Sequence, residues 1–98
     1  MKEMDAILPR IRDALPAIRQ RWPVASLALF GSVVRDEARP DSDLDILVRF
    51  DGPVTLSEFL ALEEELARLA GRRVDLVSAA ALKPYIGEIV RREAVRVE

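Results

Sequence analysis

The sequence predicts one compact α/β domain, and three observations carry that expectation. Apolar residues recur at three- and four-residue spacing over residues 4–18 and again over 56–70, the mark of two amphipathic helices. Two apolar stretches, 24–30 and 43–50, read as strands, and the second alternates cleanly. A third strand follows the second helix, and a strand–helix–strand unit normally makes a right-handed crossover to a parallel neighbour.

Taken in order, Met4, Ile7, Leu8, Ile11, Leu15 and Ile18 place a helix over the first twenty residues. Pro9 is comfortable only in a first turn, and Pro16 is expected to kink or end that helix. Trp22-Pro23 breaks the pattern before the first strand. Its run Leu27-Ala28-Leu29-Phe30 is apolar on both faces, which predicts a central position in the sheet. Gly31-Ser32 then opens a short helix over 32–38, and Pro40-Asp41-Ser42 is a turn.

In the second strand Leu44, Ile46, Val48 and Phe50 share one face, while Asp43, Asp45, Leu47 and Arg49 share the other. Asp51-Gly52-Pro53 ends it. Thr55-Leu56-Ser57-Glu58 matches a capping box, and Leu56, Phe59, Leu60, Glu63, Leu66, Leu69 and Ala70 mark one side of the helix that follows. Gly71 stands where a helix C-cap is wanted. Residues 73–78 form the third strand, 82–93 a last helix despite Pro84, and 94–97 a short edge strand. With no internal repeat, low-complexity segment or interior linker, residues 1–98 read as a single domain.

Composition narrows the chemistry. Fifteen basic and 17 acidic residues leave a formal charge of −2, which gives no support for electrostatic capture of a long nucleic acid. The absence of cysteine and histidine removes disulfides, thiolate chemistry, imidazole bases and the usual zinc sites together. Any bound metal must therefore use oxygen ligands, which favours magnesium or manganese. Met1-Lys2-Glu3-Met4-Asp5 is too charged for a signal peptide, and no apolar run reaches ~20 residues, so the expectation is a cytoplasmic protein with no membrane attachment.

The informative stretch is Leu29-Phe30-Gly31-Ser32, ten residues, then Asp43-Leu44-Asp45. Taken singly, an aspartate at a strand end is most often a solvated group or a turn former. Asp43 and Asp45, however, lie where aspartate is disfavoured, and ~7 Å apart on one strand face they repel unless a cation lies between them. Asp75, in Arg73-Val74-Asp75-Leu76-Val77, interrupts a β-branched strand and reads as a third metal ligand or general base; taken alone it would serve equally as a partner for Arg72 or Arg73. Gly31-Ser32 would offer backbone N–H groups and a hydroxyl to a phosphate, and Arg35 could neutralise its charge. Arg39 and Arg49 read as surface groups, Trp22 and Tyr85 as packing aromatics, and Arg91-Arg92 as a solvated face. Metal-holding carboxylates beside a phosphate cradle are the parts needed for phosphoryl or nucleotidyl transfer.

Gly31-Ser32-Val33-Val34-Arg35 together with Pro40-Asp41-Ser42-Asp43-Leu44-Asp45-Ile46-Leu47-Val48 resembles the signature of the minimal nucleotidyltransferases, small members of the DNA polymerase β-like nucleotidyltransferase superfamily. The resemblance implies a nucleotidyltransferase fold, a small mixed sheet backed by helices. It also implies ATP as the nucleotide donor and two Mg2+ ions. Asp43 and Asp45 would ligate metal, and Asp75 would complete the site and help activate the acceptor hydroxyl. Gly31 and Ser32 would contact the triphosphate; Arg35 and Ser42 match motif positions. Proteins of this kind are often antitoxins paired with a HEPN-domain toxin, which they silence by transferring AMP to a tyrosine hydroxyl. Asp36 stands where the family usually has glycine.

Two other functions remain in view at this point. One is an antitoxin that neutralises its toxin by binding alone; the other is a nucleotidyltransferase acting on small molecules, for which the chain has little sequence to spare. A domain this small buries a limited core. Leu62 and Ile86 could therefore extend an interface, with a toxin, with a second copy, or with both.

Overall fold

The computed structural model describes residues 3–82 and 84–97; the side chains of Tyr85 and Ile86, like Met1, Lys2 and Lys83, lie outside that description. The expectations placed on Tyr85 and Ile86 therefore fall outside the described residues. Helix α1 spans Glu3–Arg21, strand β1 Val24–Phe30, strand β2 Leu44–Phe50 and helix α2 Leu56–Ala70. Strand β3 (Val74–Ser78) leads through a 3₁₀ turn at Ala79–Ala81 into helix α3 (Pro84–Glu93) and the two-residue strand β4 (Val95–Arg96). The strands form one mixed sheet in the order β3-β2-β1-β4, with β2–β3 parallel and the other pairs antiparallel. β1 is interior, as its two apolar faces require.

One sheet face carries the core. Leu44, Ile46 and Val48 of β2 and Val74 and Leu76 of β3 pack with Ile7, Ile11, Leu15 and Ile18 of α1 and Leu62 and Leu66 of α2. Alternation leaves Asp45, Leu47 and Arg49 of β2 and Asp75 and Val77 of β3 on the opposite face. Two helices thus back the sheet while the acidic residues face away from them.

Four sequence expectations need correction or refinement. Pro16 neither kinks nor ends α1, which runs on to Arg21. Pro9 and Pro16 both lie on the exposed side, so the carbonyls they leave unpaired, those of Asp5 and Arg12, can bond water instead. Residues 32–36 form turns and 37–38 irregular backbone, rather than the expected helix over 32–38. Leu62 is fully buried and offers nothing to a partner, whereas Leu56 and Leu60 are 74% and 50% exposed. The buried stripe of α2 is Leu62, Leu66 and Ala70, one turn apart, and Leu56 and Leu60 fall outside its arc. Pro84, finally, is the first residue of α3, where its missing N–H costs nothing.

The ends of α2 follow the sequence closely. The Thr55 hydroxyl accepts from the Glu58 N–H at 3.1 Å and the Glu58 carboxylate accepts from the Thr55 N–H at 3.0 Å, while Gly71 closes the helix at φ 72°. Thr55→Ala is expected to cost about 0.5–2 kcal/mol, read as a lower midpoint in urea with an unchanged slope. The buried Trp22 donates from Nε1 to the Glu58 carbonyl at 2.8 Å, so this tryptophan packs, as expected. From mid-helix, Glu63 accepts the Leu76 N–H at 2.9 Å and so occupies a donor on the edge strand β3. Among the described residues no helix is long and apolar enough to cross a membrane.

Candidate active site

The site is built where β1 ends and β2 and β3 begin. Phe30 pairs with Asp45, and the parallel register sets Asp45 directly opposite Asp75, on strands ~4.8 Å apart. Neighbours in register point to the same face, so these two carboxylates stand side by side. Burial first, then the negative charges of Asp75 and Asp43, push the Asp45 carboxyl above the usual carboxylate range, while Arg35 pulls it partly back.

Asp43, one residue before β2, is engaged by Arg73 at 3.1 Å; the guanidinium is well exposed, and such a pair contributes little in water. Neither Arg72 nor Arg73 is paired with Asp75: Arg72 bonds the Glu3 carboxylate and the carbonyls of Arg39 and Pro40. Among the described residues no group of three acidic side chains stands ready to hold a metal ion. Asp45 and Asp75 are brought together; Asp43 is held aside by Arg73. An all-oxygen donor set short of positive charge nevertheless fits a hard divalent cation, and an exposed arginine is readily exchanged for one.

Gly31 is the hinge of the site. Its φ is 81°, and a Cβ built there would lie 2.1 Å from Asp45 Oδ2 and 3.0 Å from Asp45 Cγ. The residue is therefore needed twice, for the left-handed backbone and for the space that the Asp45 carboxylate fills. This second need carries no sequence signal, because Asp45 is fourteen positions away.

The turn after Gly31 closes as a Schellman motif. The Glu37 N–H donates to the Ser32 carbonyl at 2.8 Å and the Asp36 N–H to the Val33 carbonyl at 3.2 Å, with Asp36 at φ 60°. Asp36 thus occupies the left-handed position that glycine usually fills, a conformation that a short polar side chain tolerates. Val33 anchors the turn in the core at 2% exposure. Ser42 has a structural task, since its hydroxyl accepts the Arg39 N–H at 3.0 Å and closes the turn into β2. Arg35 donates to Glu37 at 3.3 Å and to Glu93 of α3 at 2.9 Å. Those contacts, the Glu37 hydrogen bond foremost, hold its guanidinium charged more firmly than usual.

Sequence reasoning missed the residues that position this loop. Arg72 and Arg73 grip its backbone, with Arg73 donating to the Asp41 carbonyl at 3.1 Å and Arg72 to the Arg39 carbonyl at 2.7 Å. Glu93 likewise meets Arg35 across 58 positions. Such pairings are invisible to any local pattern.

A mixed sheet with α1 and α2 on one face and carboxylates on the other is the architecture of a nucleotidyltransferase. The chain belongs to the nucleotidyltransferase domain family, which matches residues 11–97. It is 44% identical over 97 residues to protein adenylyltransferase MntA of Thermococcus cleftensis, a match that covers 99% of this chain and 95% of that protein. A solved structure proposed to be a minimal nucleotidyltransferase superposes with a TM-score of 0.78 at 41% identity, covering 97% of this chain and 95% of the other. A chain in a complex of tri-AMPylated Shewanella oneidensis HEPN toxin with MNT antitoxin gives a TM-score of 0.67 over 92% of this chain and 70% of that one; at 20% identity this likeness concerns the fold.

Proposed function

We propose that the chain is a magnesium-dependent protein adenylyltransferase, the antitoxin of a HEPN/MNT pair, which transfers AMP from ATP to a tyrosine hydroxyl of its toxin in the cytoplasm. The observation that carries this reading is the opposed pair Asp45 and Asp75 at the mouth of the Gly31 turn, in a chain nearly collinear with a protein adenylyltransferase. The AMPylated toxin in the Shewanella complex supports the choice of acceptor.

In this reading Asp43 and Asp45 hold two magnesium ions, and Asp75 completes the set. When bound, the ions supply charge neutralisation of the triphosphate and a lowered pKa for the acceptor hydroxyl. Gly31 and Ser32 contact the triphosphate, and Arg35 turns from Glu93 and Glu37 to the phosphate oxygens. The tyrosine oxygen attacks the α-phosphorus. The new P–O bond forms as the α–β phosphoanhydride bond breaks, pyrophosphate leaves, and the phenolic proton passes to Asp75. Ser42 acts at one remove by fixing the turn that delivers Asp43.

The test is mass spectrometry of a HEPN-domain toxin, after incubation with the chain, ATP and MgCl2. The expected result is a mass increase of one AMP, localised to tyrosine and lost with EDTA. No adduct, together with full neutralisation by an Asp43→Asn, Asp45→Asn variant, would instead establish an antitoxin that works by contact.

A further inference from the structure

The face of the sheet that bears Asp45 and Asp75 continues into a trough of opposite charge. Two residues beyond Asp45 on the same face stands Leu47, and two beyond that Arg49. Ala28 and Leu47 floor a cavity of about 230 Å³ whose walls include Ser26, Arg49, Arg91 of α3 and Arg96 of β4. A second hollow of about 120 Å³ shares Leu47, Arg49 and Arg91 and runs on towards Gly87. Among the described residues no acidic side chain lines either hollow. In a chain of net charge −2 this is a local reversal of sign.

Arg49 and Arg91 are placed to receive a ligand. No described residue accepts a hydrogen bond from Arg49 or pairs with its charge. Arg91 folds back along α3, donating from Nε to the Gly87 carbonyl at 3.2 Å, and its Nη2 passes 3.7 Å from where a Gly87 Cβ would stand. The acids of α3 are engaged with arginines other than Arg91, Glu93 with Arg35 and Glu88 with Arg92.

We infer that this trough docks an acidic segment of the acceptor protein, beside the hydroxyl that the acidic cluster modifies. The inference rests on the adenylyl-transfer reading of Asp45 and Asp75. From Asp45 to Arg49 the strand rises roughly 13 Å, about four residues of an extended acceptor segment. Carboxylates four or five positions from the acceptor tyrosine therefore meet Arg49 and Arg91, and the arginine fork favours carboxylate pairs. The apolar floor suits the stem of the intervening chain. Long nucleic acid fits poorly, because the trough is short and the rest of the surface is acidic on balance.

The test uses the full chain and two fluorescein-labelled peptides, each with one tyrosine. One carries aspartates four and five residues from the tyrosine; the other carries asparagines there. Anisotropy is measured without nucleotide, and AMP transfer is measured separately with ATP and MgCl2. The aspartate peptide is expected to bind about tenfold more tightly. That gap should close in an Arg49→Gln, Arg91→Gln variant and shrink with added KCl, while the KM for ATP stays unchanged. Equal binding of the two peptides overturns the inference. So does a variant whose KM for ATP rises instead, since the trough would then belong to the nucleotide. Selective binding upholds the docking surface whether or not the peptide is modified, and the adenylyl-transfer reading stands or falls separately on the mass of the toxin.

Discussion

Asp45→Asn is expected to abolish AMP transfer, by at least about 10²–10³-fold, while leaving the protein as stable as before or more so. In the proposed reading the loss follows from removing a carboxylate that would hold the magnesium ions, whose charge stabilisation at the reacting phosphate is usually the largest contribution. The stability follows from the acid itself. Burial, Asp75 and Asp43 raise the Asp45 carboxyl in the folded chain above its ordinary value. Between the unfolded and folded values the native state binds more protons than the unfolded chain, so stability falls as pH rises through that window. Above that window the penalty is fully present, and an asparagine removes it. The gain should be modest, because the carboxyl is only partly buried and water screens its neighbours' charges, and it should show as a raised Tm. It should vanish in acid below the ordinary carboxylate range, where both states are protonated. Added MgCl2 should raise Tm of the natural chain and do little for the variant, because a ligand that binds only the folded state stabilises it in proportion to its occupancy. A variant that unfolds more easily at pH 7, or that still transfers AMP at a rate near the natural one, would remove Asp45 from the role given to it.

How much of this could be read from the chain alone depends on the range over which each feature is encoded. Strand alternation in β2, the capping box at Thr55 and the left-handed Gly71 are local, and each matches its expected place. The opposition of Asp45 and Asp75 also followed, because one crossover helix fixes a parallel neighbour and the period of two fixes the face. Pro16 misled because propensity is a local cost that tertiary packing overrides: Ile11, Leu15 and Ile18 bury the other side of α1 in the core and carry the helix past the proline. The turns at 32–36 misled for another reason. Asp36 in the left-handed region stops the helix after one turn, and a Schellman closure with a non-glycine residue leaves a weak sequence mark. Arg72, Arg73 and Glu93 were beyond reach, since their partners lie some thirty to seventy residues away.

Gly31→Ala should be the most damaging single-methyl change in the chain, costing about 2–5 kcal/mol when its two separable causes are counted together. A left-handed backbone costs a residue with a Cβ about 1–2 kcal/mol, and Gly31 sits at φ 81°. Overpacking a filled site adds about 1–3 kcal/mol, and the new Cβ would stand 2.1 Å from Asp45 Oδ2, so the carboxylate has to swing away. Against the usual 5–15 kcal/mol that holds a domain together, such a loss is severe. A double-mutant cycle with Asp45→Ala separates the causes. Removing the carboxylate abolishes the contacts at 2.1 and 3.0 Å but leaves the one to Asp45 Cβ at 3.3 Å and the backbone strain. The pair should therefore couple by about 1–2 kcal/mol, seen as a double variant more stable in urea than the two single changes predict. Strict additivity would mean that Asp45 does not fill the space Gly31 leaves open, and the carboxylate would then lack the fixed position on which its catalytic role depends.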